Sequence, residues 1–251
     1  GFESPWGTGF PGWHLECSVM SRALLGQPFD IHTGGIDHIP VHHNNEIAQS
    51  EAAYNSPLAN FWLHNEFLTV SDSKMAKSED NQTTLSDLGE KFSPLAYRYL
   101  LLMAHYRTPV NFSLEALEAA QNAYRKLKEA IATWPKGGSI NAKYKKDFQS
   151  ALENDLSSPE ALSVVWKLVK DEEVSSADRR ATLLDFDQVL GLNLIENEFL
   201  NVPKNILELG EKRKMAKDKG DFEEADKIRE EIVGLGYEIR DVGETFVISK
   251  R

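Results

Sequence analysis

Between Phe29 and Val70 a β-prone run, a helical stretch and a second β-prone run follow one another. Phe29-Asp30-Ile31-His32 is short and ends at Gly34-Gly35. Apolar residues from about His42 to Tyr54 recur at helical spacing. Asn60 to Val70 (NFWLHNEFLTV) is aromatic and β-branched, the composition of a strand. Strand, helix, strand in this order predicts an α/β layer on a parallel sheet. Ligand sites in such sheets lie at the carboxyl ends of the strands. The Gly34-Gly35 turn and the polar segment from Ser71 to Gln82, with Lys74 inside it, both fall at such ends.

Upstream, residues 1–13 hold four Gly, two Pro and two Trp, a loop composition, and residues 14–25 space their apolar positions as a helix does. Downstream of Thr84 the reading turns helical. Pro94 to Ala104 is apolar on several faces, the pattern of a buried helix. Ser113 is an N-cap and Glu115 a first-turn acid for a long helix to about Trp134. Pro135-Lys136-Gly137-Gly138-Ser139 has linker composition. Helices are predicted over about 142–154, 158–171 and 176–191, with Ser157-Ser158-Pro159-Glu160 as a start signal. After Pro203 an αα-hairpin is expected. Ile206, Leu209, Arg213 and Ala216 lie on one face, Lys219-Gly220-Asp221 turns, and Ala225, Ile228 and Ile232 face back. Tyr237 to Ser249 alternates as a strand pair turning at Val242-Gly243. The expected class is α/β followed by all-α, in three parts: 1–112, 113–200 and 201–251.

Cys17 is the single cysteine of the 251 residues, which excludes an intrachain disulfide framework and points to a reducing, cytoplasmic setting. No apolar run reaches the ~18 residues of a membrane span. The net charge of −11 argues against an indiscriminate nucleic-acid coat but permits a local basic face. Residues 1–110 carry 6 basic and 12 acidic side chains, whereas residues 204–251 carry 11 and 12, so an RNA contact is expected toward the C-terminal end.

Two clusters could carry chemistry. His42 and Glu46 are four apart, hence on one helix face, and Cys17 could add a thiolate to them as a zinc set. Spacing alone leaves that open, since a lone cysteine also fills cores and a His-Glu pair also decorates surface helices. Lys74-Met75-Ala76-Lys77-Ser78 puts two ammonium groups three apart on a polar loop. That suits a triphosphate, whose transferring phosphates they would neutralise, and equally suits a solvated loop.

Together these segments resemble the cysteinyl-tRNA synthetases, a family of class I aminoacyl-tRNA synthetases. Pro11-Gly12-Trp13-His14-Leu15-Glu16-Cys17-Ser18 is similar to the family's segment with a zinc cysteine. Phe29-Asp30-Ile31-His32-Thr33-Gly34-Gly35-Ile36-Asp37 resembles its FDIHxGGxD stretch. His42-His43-Asn44-Asn45-Glu46-Ile47-Ala48-Gln49-Ser50 resembles HHENEIAQS, and Lys74 to Ser78 resembles KMSKS. His105 to Phe112 resembles the start of the helical region, while Asp155 to Ala161 and Asp221 to Arg229 are similar to later helices. The departures are Ala76 where Ser is usual, Glu79-Asp80 where Leu-Gly is common, and Val41 where Pro is usual. No His-x-Gly-His occurs in the 251 residues. The resemblance therefore implies the later portion of a synthetase, inactive by itself, whose other half would bring a further zinc cysteine and that motif.

The implied fold is the second half of a Rossmann-type catalytic domain, a helical bundle of the anticodon-binding type, and a small helical hairpin with a β tail. The implied activity joins L-cysteine to ATP, with Mg²⁺, and moves cysteine to tRNA(Cys). Cys17, His42 and Glu46 would hold one Zn²⁺ per subunit, which binds the substrate thiolate and rejects serine. Trp13 and His32 would line the cysteine pocket. Gly34, Gly35 and Asp37 would meet the adenosine side of ATP, with Lys77 and Lys74 as the catalytic pair on its phosphates. A cytoplasmic monomer without membrane contact is expected. Two other readings are a cysteine ligase acting on a small sugar amine and a non-catalytic zinc- or tRNA-binding module.

Overall fold

A computed structural model describes residues 1–70, 73–74, 84–89, 91–195, 203–242 and 245–250. The described chain divides into two compact units. One comprises residues 1–82 and 104–112, the other 83–103 and 113–251. By contacts, residues 84–103 group with the later helices, although the functional partition expected above keeps them with the first 112 residues.

In the first unit, β1 (Phe2–Ser4) and β2 (Gly7–Gly9) form a small antiparallel pair. Helix α1 (His14–Leu25) precedes β3 (Phe29–Gly35). A 3₁₀ turn, Ile36–His38, and a π-helical turn, Ile39–His43, lead into α2 (Asn44–Tyr54). The chain then returns as β4 (Ala59–Asn65), parallel to β3, with His32 opposite Trp62 and Gly34 opposite His64. This is the predicted strand–helix–strand unit. Its apolar centre is small: Phe29, Leu58 and Ala59, flanked by Ile47 and Trp62.

The single strand expected over Asn60–Val70 is corrected to two. After β4 the Glu66 amide bonds the Tyr106 carbonyl, 2.8 Å, and the Phe67 carbonyl accepts from Val110, 3.0 Å. The chain thus leaves the β3 sheet and enters another, in which β5 (Leu68–Val70) lies between β6 (Ser73–Lys74) and β7 (Val110–Phe112). A continuous β-prone composition carries no signal for that change of partner.

The second unit opens with α3 (Leu85–Gly89) and α4 (Pro94–Leu102), the latter capped by Ser93, whose hydroxyl accepts from the Leu95 amide. Helix α5 (Leu114–Thr133) starts at Ser113, whose hydroxyl accepts from the Ala116 amide at 3.1 Å. Backbone and Ser113 hydrogen bonds hold the first-turn Glu115 carboxyl below its usual range. Leu117, Ala120, Tyr124, Leu127 and Ile131 recur at helical spacing and are buried. Helices α6 (Ala142–Glu153), α7 (Ser158–Lys170) and α8 (Ser176–Leu190) follow as predicted. Phe148 of α6 stacks on Phe186 of α8 with ring centroids 4.1 Å apart. The segment of linker composition, residues 135–139, is tied to α8. Asp178 of α8 accepts from the Ser139 amide at 2.7 Å, and both flanks lie in one unit.

The hairpin is present as α9 (Lys204–Asp218) and α10 (Phe222–Gly234), followed by antiparallel β8 (Tyr237–Val242) and β9 (Thr245–Lys250). Gly243, in the expected turn, lies outside the described residues. Ile206, Ile228, Ile232, Ile239, Phe246 and Ile248 make its core. Gly210 in α9 faces that core: a Cβ there would stand 2.7 Å from Phe246 Cζ and 2.8 Å from Ile248 Cδ1. Gly210→Ala is therefore predicted to lower the thermal midpoint, although helix propensity alone would favour Ala by about 1 kcal/mol. Buried Arg213 donates from both terminal nitrogens to Asp241, at 2.7 and 3.1 Å, and Lys217 joins at 2.7 Å. The Arg213 guanidinium, seconded by Lys217, holds the Asp241 carboxyl well below the usual carboxylate range. A depressed folded-state pKa stabilises above the unfolded value of about 3.9 and is lost as pH falls below it. The hairpin's urea midpoint should drop between roughly pH 4 and 2, and Asp241→Asn should flatten that drop. An unaltered pH dependence in the variant would sink the assignment.

Candidate metal centre

Strand alternation places Asp30, His32 and Gly34 on one face of β3. The π turn after it has Pro40 near its start and ends in two buried neighbours, His42 and His43. Their rings find different partners: His42 Nε2 lies 3.2 Å from Glu46 Oε1, and His43 Nδ1 lies 2.8 Å from His64 Nε2. Glu46 follows in the first turn of α2, 1% exposed. Helix α1 delivers Cys17 from the other side. It is tied to α2 by Ser18, which donates to Gln49 Oε1 at 2.9 Å, while Gln49 Nε2 lies 3.0 Å from His14 Nδ1.

The structure brings the three expected metal residues together. One ligand atom each of Cys17, His42 and Glu46 lies within 4.8 Å of the others. Zinc bonds of about 2.0–2.3 Å in a tetrahedron set ligand atoms roughly 3.3–3.8 Å apart, so a small contraction suffices. His42 Nε2 is already 3.2 Å from Glu46 Oε1. That contact is short but poorly aligned, because Glu46 Oε1 counts as a buried atom with no hydrogen-bond partner among the described residues; so does His42 Nδ1. A thiol, an imidazole and a buried carboxylate with unused lone pairs fit a zinc ion. Burial first, then the charge of Glu46 and a hydrogen bond to it, push the Cys17 thiol above its usual range.

His32 does not stand free in a pocket. Its Nε2 lies 2.7 Å from Glu46 Oε2, and its ring meets Trp62 edge-on at 4.7 Å. Trp13, 58% exposed, overlaps His42 with centroids 3.9 Å apart, so both residues assigned to the cysteine pocket border the triad. Gly34 has a reason of its own. A Cβ there would meet His43 Cε1 at 2.5 Å, His38 Nδ1 at 2.7 Å and His43 Nε2 at 2.9 Å. Gly35 likewise leaves space for the Asp37 carboxylate. Lys74 is in β6, pairing with Thr69; Lys77 lies outside the described residues.

His43 and His64 were not among the assigned residues. His43 Nδ1 and His64 Nε2 are 2.8 Å apart. Burial, with His32 and His64 nearby, lowers the His43 imidazolium to about 4, so the ring is neutral at pH 7. The available signal was period-two spacing, since Trp62 and His64 share a strand face.

Against known proteins, residues 1–122 match the family model described as tRNA synthetases class I (C) catalytic domain. Over 97% of its length the chain is 44% identical to "Cysteine--tRNA ligase 1" of Burkholderia lata, covering 52% of that protein. Over 96% of its length it is 41% identical to "Cysteine--tRNA ligase" of Treponema denticola, covering 56%. The fold is also similar to that of an Agrobacterium radiobacter K84 LeuRS in ternary complex with tRNA and LeuAMS. That similarity has a TM-score of 0.51 at 15% identity, over 65% of this chain and 26% of the other. The chain thus belongs to the cysteine–tRNA ligase family of class I tRNA synthetases, and it spans about half the length of the curated relatives it matches.

The centre makes a direct prediction. Cobalt(II) added to the chain should give a sulfur-to-metal charge-transfer band from Cys17. Cys17→Ser should abolish the band and lower the affinity of that seat by more than the ~10–100-fold typical of losing an outer-shell partner. A band that survives the substitution would remove Cys17 from the centre.

Proposed function

We propose that this chain carries the amino-acid-selecting part of a cysteine–tRNA ligase, which activates L-cysteine with ATP and Mg²⁺ and transfers it to tRNA(Cys). The convergence of Cys17, His42 and Glu46 in a chain of this family is the observation that carries the reading. Zinc held there supplies a soft site for a thiolate, which a serine hydroxyl fills poorly. The discrimination needs no editing step, because a whole metal–ligand bond is at stake and not one methylene.

The protein's own groups have distinct tasks. Glu46 and His42 fix the metal, and His32 sets the Glu46 carboxylate through its second oxygen. Trp13 flanks His42 and bounds the thiolate side. Gly34, Gly35 and Asp37 are read as the residues that meet the adenosine end of ATP, with Asp37 on a hydroxyl. Lys77 and Lys74 stabilise the charge that shifts from the α-phosphate to the leaving pyrophosphate. The β3–α2–β4 unit is read as part of a Rossmann-type catalytic domain. Helices α5 to α8 are read as the tRNA-binding bundle, and the α9–α10 hairpin with its β tail as a further anticodon-side element.

Two measurements test this. L-Cysteine added to the cobalt-loaded chain should intensify the charge-transfer band, and L-serine at equal concentration should leave it unchanged. Equal responses would overturn the thiolate-selecting role. In the protein that carries this chain, Lys77→Ala should slow cysteine-dependent ATP–pyrophosphate exchange by ~10²-fold or more while cysteine binding changes little, because the charge acts in the transition state. Unchanged exchange would remove Lys77 from the mechanism.

A further inference from the structure

Helix α1 delivers Cys17 to the centre and yet buries little of itself. Among its twelve described residues Ser18 is the one that is buried. Leu15, Val19, Met20, Leu24 and Leu25 are all exposed. Polar contacts tie α1 to α2 instead. At one end Gln49 holds both arms of a clamp: its Oε1 accepts from Ser18 Oγ at 2.9 Å, and its Nε2 donates to His14 Nδ1 at 3.0 Å. At the other end the Arg22 guanidinium lies over the Tyr54 ring, 4.3 Å from its centroid. We infer that Gln49 is a positioning residue for the metal centre: through Ser18 and His14 it holds α1 where the Cys17 thiolate can share one ion with His42 and Glu46. The inference rests on the metal reading of that centre and deepens it.

Glu46 and Gln49 are three apart on α2, so they share the helix face turned toward α1. One supplies a ligand and the other supplies the tie. Cys17 and Ser18 are joined by a peptide bond, so whatever fixes Ser18 limits where the Cys17 sulfur reaches. The Ser18 hydroxyl also lies 3.0 Å from the His14 carbonyl, and its one proton is shared between helix and clamp. His14 is the second fixed point, one turn earlier on the same face. An amide N–H donates to it, so Nδ1 accepts and the ring proton sits on Nε2. Gly12 leaves space for that ring, which a Cβ at residue 12 would overlap. Two points one turn apart set both the height and the rotation of α1 against α2.

The tolerance is small. The ligand atoms of Cys17, His42 and Glu46 lie within 4.8 Å of one another, against roughly 3.3–3.8 Å in a tetrahedral zinc shell. Moving α1 outward by about 1 Å takes the thiolate out of range. His42 and Glu46 keep their places, because the π turn and α2 deliver them. The rival account is that Gln49 only helps α1 to fold. The two differ in the ion once bound. General loosening lowers affinity and leaves each bound ion its sulfur, whereas misplacement of α1 leaves bound ions without sulfur.

The test is a Co²⁺ titration of the chain carrying Gln49→Leu, a side chain of similar size that removes both arms of the clamp. Co²⁺ affinity should fall ~10–100-fold, the range for loss of an outer-shell partner. At saturating Co²⁺ the sulfur charge-transfer band per bound ion should shrink. Tyr54→Leu, which frees the far end of α1, should change the affinity by less than about threefold and keep the full band. An unchanged affinity and band in Gln49→Leu overturn the inference and leave the metal centre standing. Equal losses in the two variants also overturn it, as does a lower affinity with the full band per bound ion. No sulfur band in the unmodified chain overturns the metal reading and this inference with it. Should Gln49→Leu lose its fold by circular dichroism, Ser18→Ala, which removes one arm, decides by the same two readings.

Discussion

A carboxylate buried to 1% exposure governs the first unit of this protein. An ionised glutamate removed from water costs several kcal/mol unless it is paired and hydrogen-bonded. Glu46 has His32 on one oxygen, His42 on the other and the Cys17 thiol beside it. Each neighbour arrives from a different element: β3, the π turn and α1. The Ser18–Gln49–His14 clamp sets the separation of α1 and α2, and so decides whether Cys17 reaches the carboxylate at all. Register does the same for the strands, since pairing β3 with β4 one residue out of step would turn His64 away from Gly34.

The two units differ in what holds them. Helices α5 to α8 bury long apolar faces and a stacked Phe148–Phe186 pair, as their sequence periodicity requires. The first unit has a small apolar centre and leaves large side chains outside it, among them Leu24, Ile31 and Phe61. Its order near Glu46 therefore depends on polar pairing to an unusual degree. Polar networks of this kind specify one arrangement when every member is satisfied and weaken it when one is not.

Where the sequence could be read, the physics was local. Ser113 accepts from the amide three residues on, Asp221 does the same for α10, and the buried faces of α9 and α10 follow from spacing alone. Cys17, His42 and Glu46 were legible through residue chemistry and family resemblance. Three features were not. The split of Asn60–Val70 depends on the carbonyl of Tyr106, distant in sequence. The anchoring of Ser139 depends on Asp178, likewise remote. The place of His43 depends on His64 of β4, which lies 21 residues on in the sequence.

These points meet in the energetics of the centre. A thiol pushed up in pKa by burial and by a neighbouring carboxylate keeps its proton until a cation displaces it. A metal bound as proposed would take that proton's place and supply positive charge to both groups. The same event satisfies the unused lone pairs of His42 and Glu46. With so little apolar surface in the first unit to compensate, a cation held as proposed would supply a large part of its cohesion. Metal affinity and the local folding free energy of α1, β3 and α2 are then one quantity, measured from two directions.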